Sequence, residues 1–178
     1  MSNITVRFIG AENAADINIK NERFRLWGRM VPNFQNGEWG YTAVENEKTD
    51  WQVFPDENYS YDDMKKDFVF IGAYDCDACI GLAILQKTWY KYLYLYDIKV
   101  NEAYRDRHVG TEMIQKACEA AKESGLRGIR TVAQDNNLSA CLFYLHNGFR
   151  IGGVDTGIYN GTKQEGKSDI FFYKELEN

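Results

Sequence analysis

The chain has 178 residues and a mass of 20.6 kDa, with 44% hydrophobic and 26% charged residues. A single domain over residues 1–178 accounts for this, because domains run to roughly 100–200 residues, and the composition excludes intrinsic disorder, a collagen-like fibre and low-complexity sequence. A net charge of −5 and a pI near 5.1 leave no global basic footprint, which argues against nucleic acid or a membrane as partner and weakly favours a small cationic molecule.

The first ten residues carry Arg7 and no continuous apolar stretch, so they do not read as a signal peptide. No run of about 18 apolar residues occurs, so no transmembrane helix is expected. Both features point to the cytoplasm, where Cys76, Cys79, Cys118 and Cys141 stay reduced. Cys76-x-x-Cys79 reads best as two small residues at a turn. A zinc site needs two further ligands, the only histidines are His108 and His146, and no metal is expected.

In chain order, Ile4–Ile9 is a strand. Residues from about Asn13 to Asp67 read as loop-rich and irregular, with turn chemistry at Asn33–Gly37 and Pro55–Asn58. Trp27, Trp39 and Trp51 fall here, either as loop anchors or as pocket walls. Asp67–Asp75 and Ala78–Gln86 form a hairpin around Asp75–Asp77. Trp89–Val100 is a long Tyr-rich strand. Thr111–Ser124 is a helix with apolar residues at Met113, Ile114, Ala117, Cys118 and Ala121, closed by Gly125. Gly128–Ala133 is a strand, Asn137–Asn147 a second helix closed by Gly148, and Phe149–Ile151 and Ile170–Tyr173 are final strands. This order predicts an α/β fold, a mixed sheet with helices crossing it.

The chemistry concentrates between Tyr96 and Thr111. A strand ends at Val100, an arginine-bearing turn follows, and a helix starts near Gly110. The first backbone N–H groups of a helix lack internal partners and face the positive end of its dipole, so they suit a phosphate. Arg105 and Arg107 add charge, Thr111 adds a hydroxyl donor, and Gly110 admits a close approach. A solvated turn with two exposed arginines is the other reading. The Walker pattern and G-x-G-x-x-G are absent, which disfavours a nucleotide hydrolase. In the next helix Asn137, Ala140 and Tyr144 share one face. They make either a groove wall or, for Tyr144, a core aromatic.

Arg105-x-x-His108-x-Gly110 after a strand, then Asn137-x-x-Ala140-x-x-x-Tyr144-x-x-x-Gly148-Phe149, resembles the signature of the GNAT acetyltransferase superfamily from about Ala78 to Gly153. The chain departs from that signature at His108, where the loop has its first glycine, and at Asn101-Glu102, where Asp-Pro is common. Within the superfamily it is similar to the streptothricin acetyltransferases, through Gly28–Pro32, Glu38–Tyr41, Tyr94–Val100 and Gly128–Asn137.

The resemblance implies a GNAT fold, a mixed central sheet splayed between two parallel strands (Tyr94–Val100 and Gly128–Ala133) and flanked by helices. Acetyl-CoA would lie in the opening as co-substrate. Ile98, Lys99 and Val100 would offer backbone groups to the pantetheine, with an N–H near Ile98 for the oxyanion. Arg105 and the N–H groups of Arg107, His108, Val109, Gly110 and Thr111 would hold the pyrophosphate. Asn137 would bond the pantetheine arm, Ala140 would line the groove, and Tyr144 would protonate the departing thiolate. Asp97 would bind the acceptor amine or relay its proton, or else form a strand-end salt bridge. Trp27, Glu38, Trp39 and Tyr41, with Asp75, would complete an acidic, aromatic acceptor side. The acceptor implied is the β-lysine chain of streptothricin. Another small amine, or a catalytically silent acyl-CoA-binding protein suggested by His108, are the alternatives, and a homodimer is left open.

Overall fold

Residues 4–176 are described by a computed structural model. They run through β1 (Ile4–Phe8), 3-10 turns within Ala11–Asn18, β2 (Phe24–Gln35), β3 (Glu38–Gln52), α1 (Tyr61–Met64), β4 (Phe68–Asp75), β5 (Ala78–Gln86) and β6 (Tyr92–Val100). A 3-10 turn (Glu102–Tyr104), α2 (Val109–Glu123), β7 (Gly128–Gln134), α3 (Leu138–His146), β8 (Arg150–Asp155) and β9 (Asp169–Glu175) follow. The α/β class is as the sequence predicts. Among the described residues no helix is long and apolar enough to cross a membrane. The chain packs as two compact units, one of residues 4–23, 53–129 and 176, the other of Phe24–Gln52 and Arg130–Glu175.

In the first unit the strands lie in the order β1-β4-β5-β6, each antiparallel to its neighbour. β4 and β5 are nearly continuous apolar runs because both their faces are covered: Ile71, Leu82, Ile84 and Leu85 are fully buried. Each such side chain contributes about 1.5–3 kcal/mol. The stripe Met113, Ile114, Ala117 and Ala121 of α2 is buried. The helix closes as expected at Gly125, whose φ of 66° lets its N–H reach Lys122 O and the Leu126 N–H reach Ala121 O, both at 3.0 Å.

One irregularity in β6 decides which face its polar residues take. Ile84 lies opposite Asp97, but the next pair is Leu85 with Leu95, so Tyr96 is an extra residue in a β-bulge. Directly opposed residues share a face, and Ile84 and Leu85 are on opposite faces. Asp97 and Leu95 therefore also lie on opposite faces, although regular alternation would put them on one. The face of Leu82 and Ile84 is covered by Ile9 and Ile17, with Ile19, Tyr59, Tyr61, Met64 and Phe68 packed around them.

The second unit corrects the reading of residues 13–67 as irregular. β2 and β3 form a long antiparallel hairpin from Phe24 opposite Gln52 to Gln35 opposite Glu38. Its turn is Asn36-Gly37, with φ of 53° and 84°, the left-handed pair that a two-residue hairpin turn requires. β3 is exposed along most of its length; Trp39, Tyr41 and Ala43 alternate with Glu38, Gly40 and Thr42, but Glu45, Glu47, Lys48 and Asp50 leave its second half without an apolar pattern. Cross-strand pairing, not burial, makes it a strand. The other strands lie in the order β7-β9-β8. Met30, Leu138, Cys141, Tyr144, Phe149, Ile151, Ile170 and Phe172 form the core of this unit.

Candidate functional site

In the first unit the turn after β6 is tied down from within. Arg105 donates from Nε to Val100 O at 3.0 Å and from Nη1 to Arg23 O at 2.7 Å, and Nη2 lies 3.9 Å from Glu22 Oε2. The Glu102 N–H also donates to Glu22. The Arg105 charge is thus spent on the loop's own scaffold. Arg107 is exposed, its guanidinium 5.3 Å from the Tyr104 ring. The Tyr104 hydroxyl donates to Asp75 Oδ2 at 2.9 Å, which engages Asp75 at the β4 end.

α2 starts earlier than predicted, at Val109. Its N-cap is His108, in left-handed backbone at φ 63°, ψ 5°, with no side-chain cap bond. The family glycine has a physical reason here: the position demands positive φ, which costs an L-residue about 1–2 kcal/mol. Asp106 is left-handed as well, at φ 60°. The Glu112 N–H donates to His108 O at 3.0 Å, an i to i−4 helical bond at this end. The N–H groups of the preceding turn have no intrahelical acceptor, the arrangement that suits an anion.

Asp97 sits on the face covered by residues 53–64, in a cluster that local spacing did not announce. Lys99 Nζ lies 2.7 Å from Glu57 Oε2, 3.0 Å from Asn21 Oδ1 and 3.3 Å from Asp97 Oδ2. Asn21 Nδ2 donates to the same Glu57 oxygen at 2.9 Å and to Pro55 O at 2.8 Å. The Lys99 side chain is 12% exposed. Its contacts explain its burial, and they draw this side chain away from any cofactor role; only its backbone stays available for one. Asp97 Oδ2 is buried and, among the described residues, has no partner in hydrogen-bond geometry. Burial pushes the Asp97 carboxyl above the usual carboxylate range; Lys99 pulls it back, and the Glu57 charge adds to the rise. Burial also raises Glu57, but bonds from Lys99 and Asn21 more than offset it and its pKa is net lowered. The Tyr59 phenol is pushed up by burial and by the charges of Asp97 and Glu57.

In the second unit Asn137 is the N-cap of α3, not its first turn: its Oδ1 accepts from the Ala140 N–H at 3.2 Å. β2 passes beside it through a parallel bridge between Gly28 and Asn137. This brings Trp27 to the head of α3, where Nε1 donates to Ser139 Oγ at 2.8 Å. Tyr144 is 6% exposed, its ring 5.5 Å from Phe143, 5.3 Å from Phe149 and 5.4 Å from Phe172. Its ring thus packs in the aromatic core of this unit, one of the two readings that the spacing left open.

Glu38, Trp39 and Tyr41 are not with Trp27. They line a cleft of about 710 Å³ with Leu145, Phe149, Arg150 and Ile151 at the other end of α3. The helix has nine residues, so its two ends are ~13 Å apart at about 1.5 Å per residue. Trp27 therefore meets the head of α3, and Trp39 and Tyr41 meet its other end. Glu57 and Asn21 were missed: Glu57 lies in a turn-rich stretch and meets Lys99 across 42 positions, a separation that no local pattern reports. In the Cys76-Cys79 turn, Cys79 Sγ donates to Gly81 O at 3.4 Å, and burial pushes its thiol up to about 11. Among the described residues no group of three or more His, Cys, Asp or Glu is placed to hold a metal.

The model of the acetyltransferase (GNAT) family matches residues 33–149, more than half of the chain. Streptothricin acetyltransferase A of Bacillus subtilis (strain 168) is 36% identical over 165 residues, 90% of this chain and 94% of that protein. A streptothricin acetyltransferase of Escherichia coli is 30% identical over 114 residues, 64% of this chain and 66% of that one. A Bacillus anthracis str. Ames protein, assigned provisionally as a streptothricin acetyltransferase and solved in complex with acetyl coenzyme A, superposes with a TM-score of 0.87 at 26% identity, covering 98% of this chain and 99% of that one. Nourseothricin acetyltransferase superposes at 0.79 with 22% identity over 98% and 99%, a likeness of fold alone.

Proposed function

We propose, from the premise that the chain belongs to the acetyltransferase (GNAT) family, that it moves the acetyl group of acetyl-CoA to an amine of streptothricin, on its β-lysine chain, and so confers resistance. Family membership makes it an acetyl-CoA-dependent N-acetyltransferase. The observation that carries the choice of acceptor is the 36% identity to Streptothricin acetyltransferase A across 90% of the chain. A cytoplasmic setting, where acetyl-CoA is made, goes with this reading.

The reaction is attack of a neutral amine on a thioester. A free alkyl amine has a pKa near ~10, so at neutral pH it arrives as ammonium and must lose a proton. Asp97 is the proposed receiver of that ammonium. Its raised pKa makes it a better proton acceptor than an ordinary aspartate. The backbone of Ile98 and Val100 is proposed to pair with the pantetheine and to stabilise the oxyanion. The N–H groups from Arg107 to Thr111 are proposed to hold the pyrophosphate, which fits their place ahead of the first helical bond of α2. Arg105 supports that turn from behind through Val100 and Arg23. Asn137 and Ala140 would flank the pantetheine, and Tyr144 would protonate the thiolate as the tetrahedral intermediate collapses.

Release of CoA thiol on mixing the purified chain with acetyl-CoA and streptothricin tests the proposal. Turnover well above hydrolysis, with a mass increase of one acetyl group on the antibiotic, is the expected result. Background rates with streptothricin alongside turnover of another amine would reassign the acceptor. Binding of CoA by calorimetry with no transfer to any amine would favour the silent acyl-CoA-binding reading.

A further inference from the structure

We propose that Glu57 is a positioning residue that sets the charge state of Asp97: by holding the Lys99 ammonium, it leaves Asp97 as the under-compensated carboxylate that receives the primary ammonium of the acceptor. The inference rests on the acceptor role of Asp97 proposed above.

An ammonium has three N–H donors. Lys99 directs one at Glu57 Oε2, 2.7 Å away, and one at Asn21 Oδ1, 3.0 Å away. Asp97 Oδ2 is 3.3 Å from the same nitrogen, out of line for a hydrogen bond. Two carboxylates thus share one cation, and the shorter, aligned contact belongs to Glu57. Glu57 is fixed in turn. Asn21 Nδ2 bonds its Oε2 at 2.9 Å, while the Asn21 N–H bonds Asp56 Oδ1 at 2.7 Å and its Nδ2 also bonds Pro55 O. Lys99 commits two of its N–H groups to these acceptors, and its contact with Asp97 is the longer and less aligned one. The pair of carboxylates keeps one negative charge beyond what Lys99 neutralises, and a buried carboxylate oxygen held by a 3.3 Å ion pair with no aligned hydrogen bond is under-satisfied. An incoming ammonium supplies the missing charge and a better-aligned donor.

The charged and titratable groups facing Asp97 are few. Lys99 comes from its own strand, and Glu57 and Tyr59 come from the segment that covers the face. Tyr59 stays protonated through the physiological range, since burial and both carboxylates push its phenol up. The balance at Asp97 is therefore set by Lys99 and Glu57, acting with opposite sign.

Carbon-detected NMR of the Asp97 carboxyl through a pH titration of the full chain, in wild type, Glu57→Gln and Lys99→Met, tests this. The Asp97 midpoint should fall in Glu57→Gln, because the lysine is then left to Asp97 alone. It should rise in Lys99→Met. The acid limb of kcat/KM for streptothricin should move in the same two directions, and Glu57→Gln should lose about tenfold in kcat/KM for the acceptor with KM for acetyl-CoA unchanged. A merely structural Glu57 would not move the midpoints in opposite senses. Midpoints that stay together, or an acid limb that ignores them, overturn the proposal. A wild-type chain that does not acetylate streptothricin would instead defeat the acceptor assignment, and the midpoints would still decide the tuning.

Discussion

Arg29 Nη2 lies 2.7 Å from Asp135 Oδ2, joining β2 to the residue that follows β7. The same guanidinium nitrogen donates to Gly166 O at 3.1 Å, and the other Asp135 oxygen accepts from the Ser168 N–H at 3.1 Å. Main-chain bonds from Met30 N–H to Asp135 O, 2.8 Å, and from Asp135 N–H to Ser168 O, 2.9 Å, run alongside. One aspartate thus clips the hairpin and the β8–β9 connection to the same point, a short way along the chain from Asn137. The Asp135 side chain is 9% exposed and Arg29 40%.

Arg29→Met strands the Asp135 carboxylate in a buried place. Removing one partner of a fully buried pair costs about 3–5 kcal/mol, and the exposed guanidinium reduces this to roughly 1–3. Urea unfolding should show that loss. A midpoint equal to wild type would mean that the main-chain bonds alone hold the clip.

His108→Gly should stabilise the chain. The left-handed backbone strains histidine by about 1–2 kcal/mol. The unfolded-state entropy of glycine returns about 0.5–1 of that, leaving a rise in Tm of roughly 1–4 °C. His108→Ala keeps the strained φ and should show no rise. Calorimetry of acetyl-CoA with the glycine variant reports whether the ring matters to the cofactor: equal affinity makes it irrelevant, and weaker binding makes it a contact.

Tyr144→Phe keeps the ring among Phe143, Phe149 and Phe172 and removes only the hydroxyl. Stability and acetyl-CoA affinity should hardly change, while kcat falls by ~10²–10⁴, the usual worth of a positioned acid. An unaltered kcat would remove Tyr144 from the chemistry.

Asp97→Asn should separate stability from function. The folded-state pKa of Asp97 is raised, so the native chain binds its proton more tightly than the unfolded chain does. The slope of stability with pH is then negative for this group. Its contribution is fully present below the ordinary aspartate pKa and is lost as pH rises through the folded value. Asparagine cannot ionise, so the variant should be more stable than wild type at neutral pH and use the acceptor far less well. Glu57 works the other way, its lowered pKa adding stability that is lost as pH falls through its folded value. Denaturant midpoints across pH for wild type and Asp97→Asn read the difference curve; a variant less stable at neutral pH would mean that the Lys99 contact outweighs burial.

The elements that carry the proposed site were legible because their signals are local. Periodicity placed α2, and glycines closed both long helices. The hairpin was missed because most of β3 is exposed and its alternation stops after Ala43, although its Asn36-Gly37 turn was visible. Sequence does not say which end of α3 each tryptophan meets: Trp27 lies at its head and Trp39 at its other end.

The amino-acid order alone determined the α/β course of the chain, the arginine-bearing turn before α2 and the family motifs, since each depends on neighbours within a few turns of backbone. Tertiary structure alone decided what Asp97 faces. The bulge at Tyr96 sends it to the face opposite Leu95, and Glu57 reaches Lys99 across 42 positions. Register between strands and pairing between distant charges are properties of the folded sheet, so no local pattern carries them.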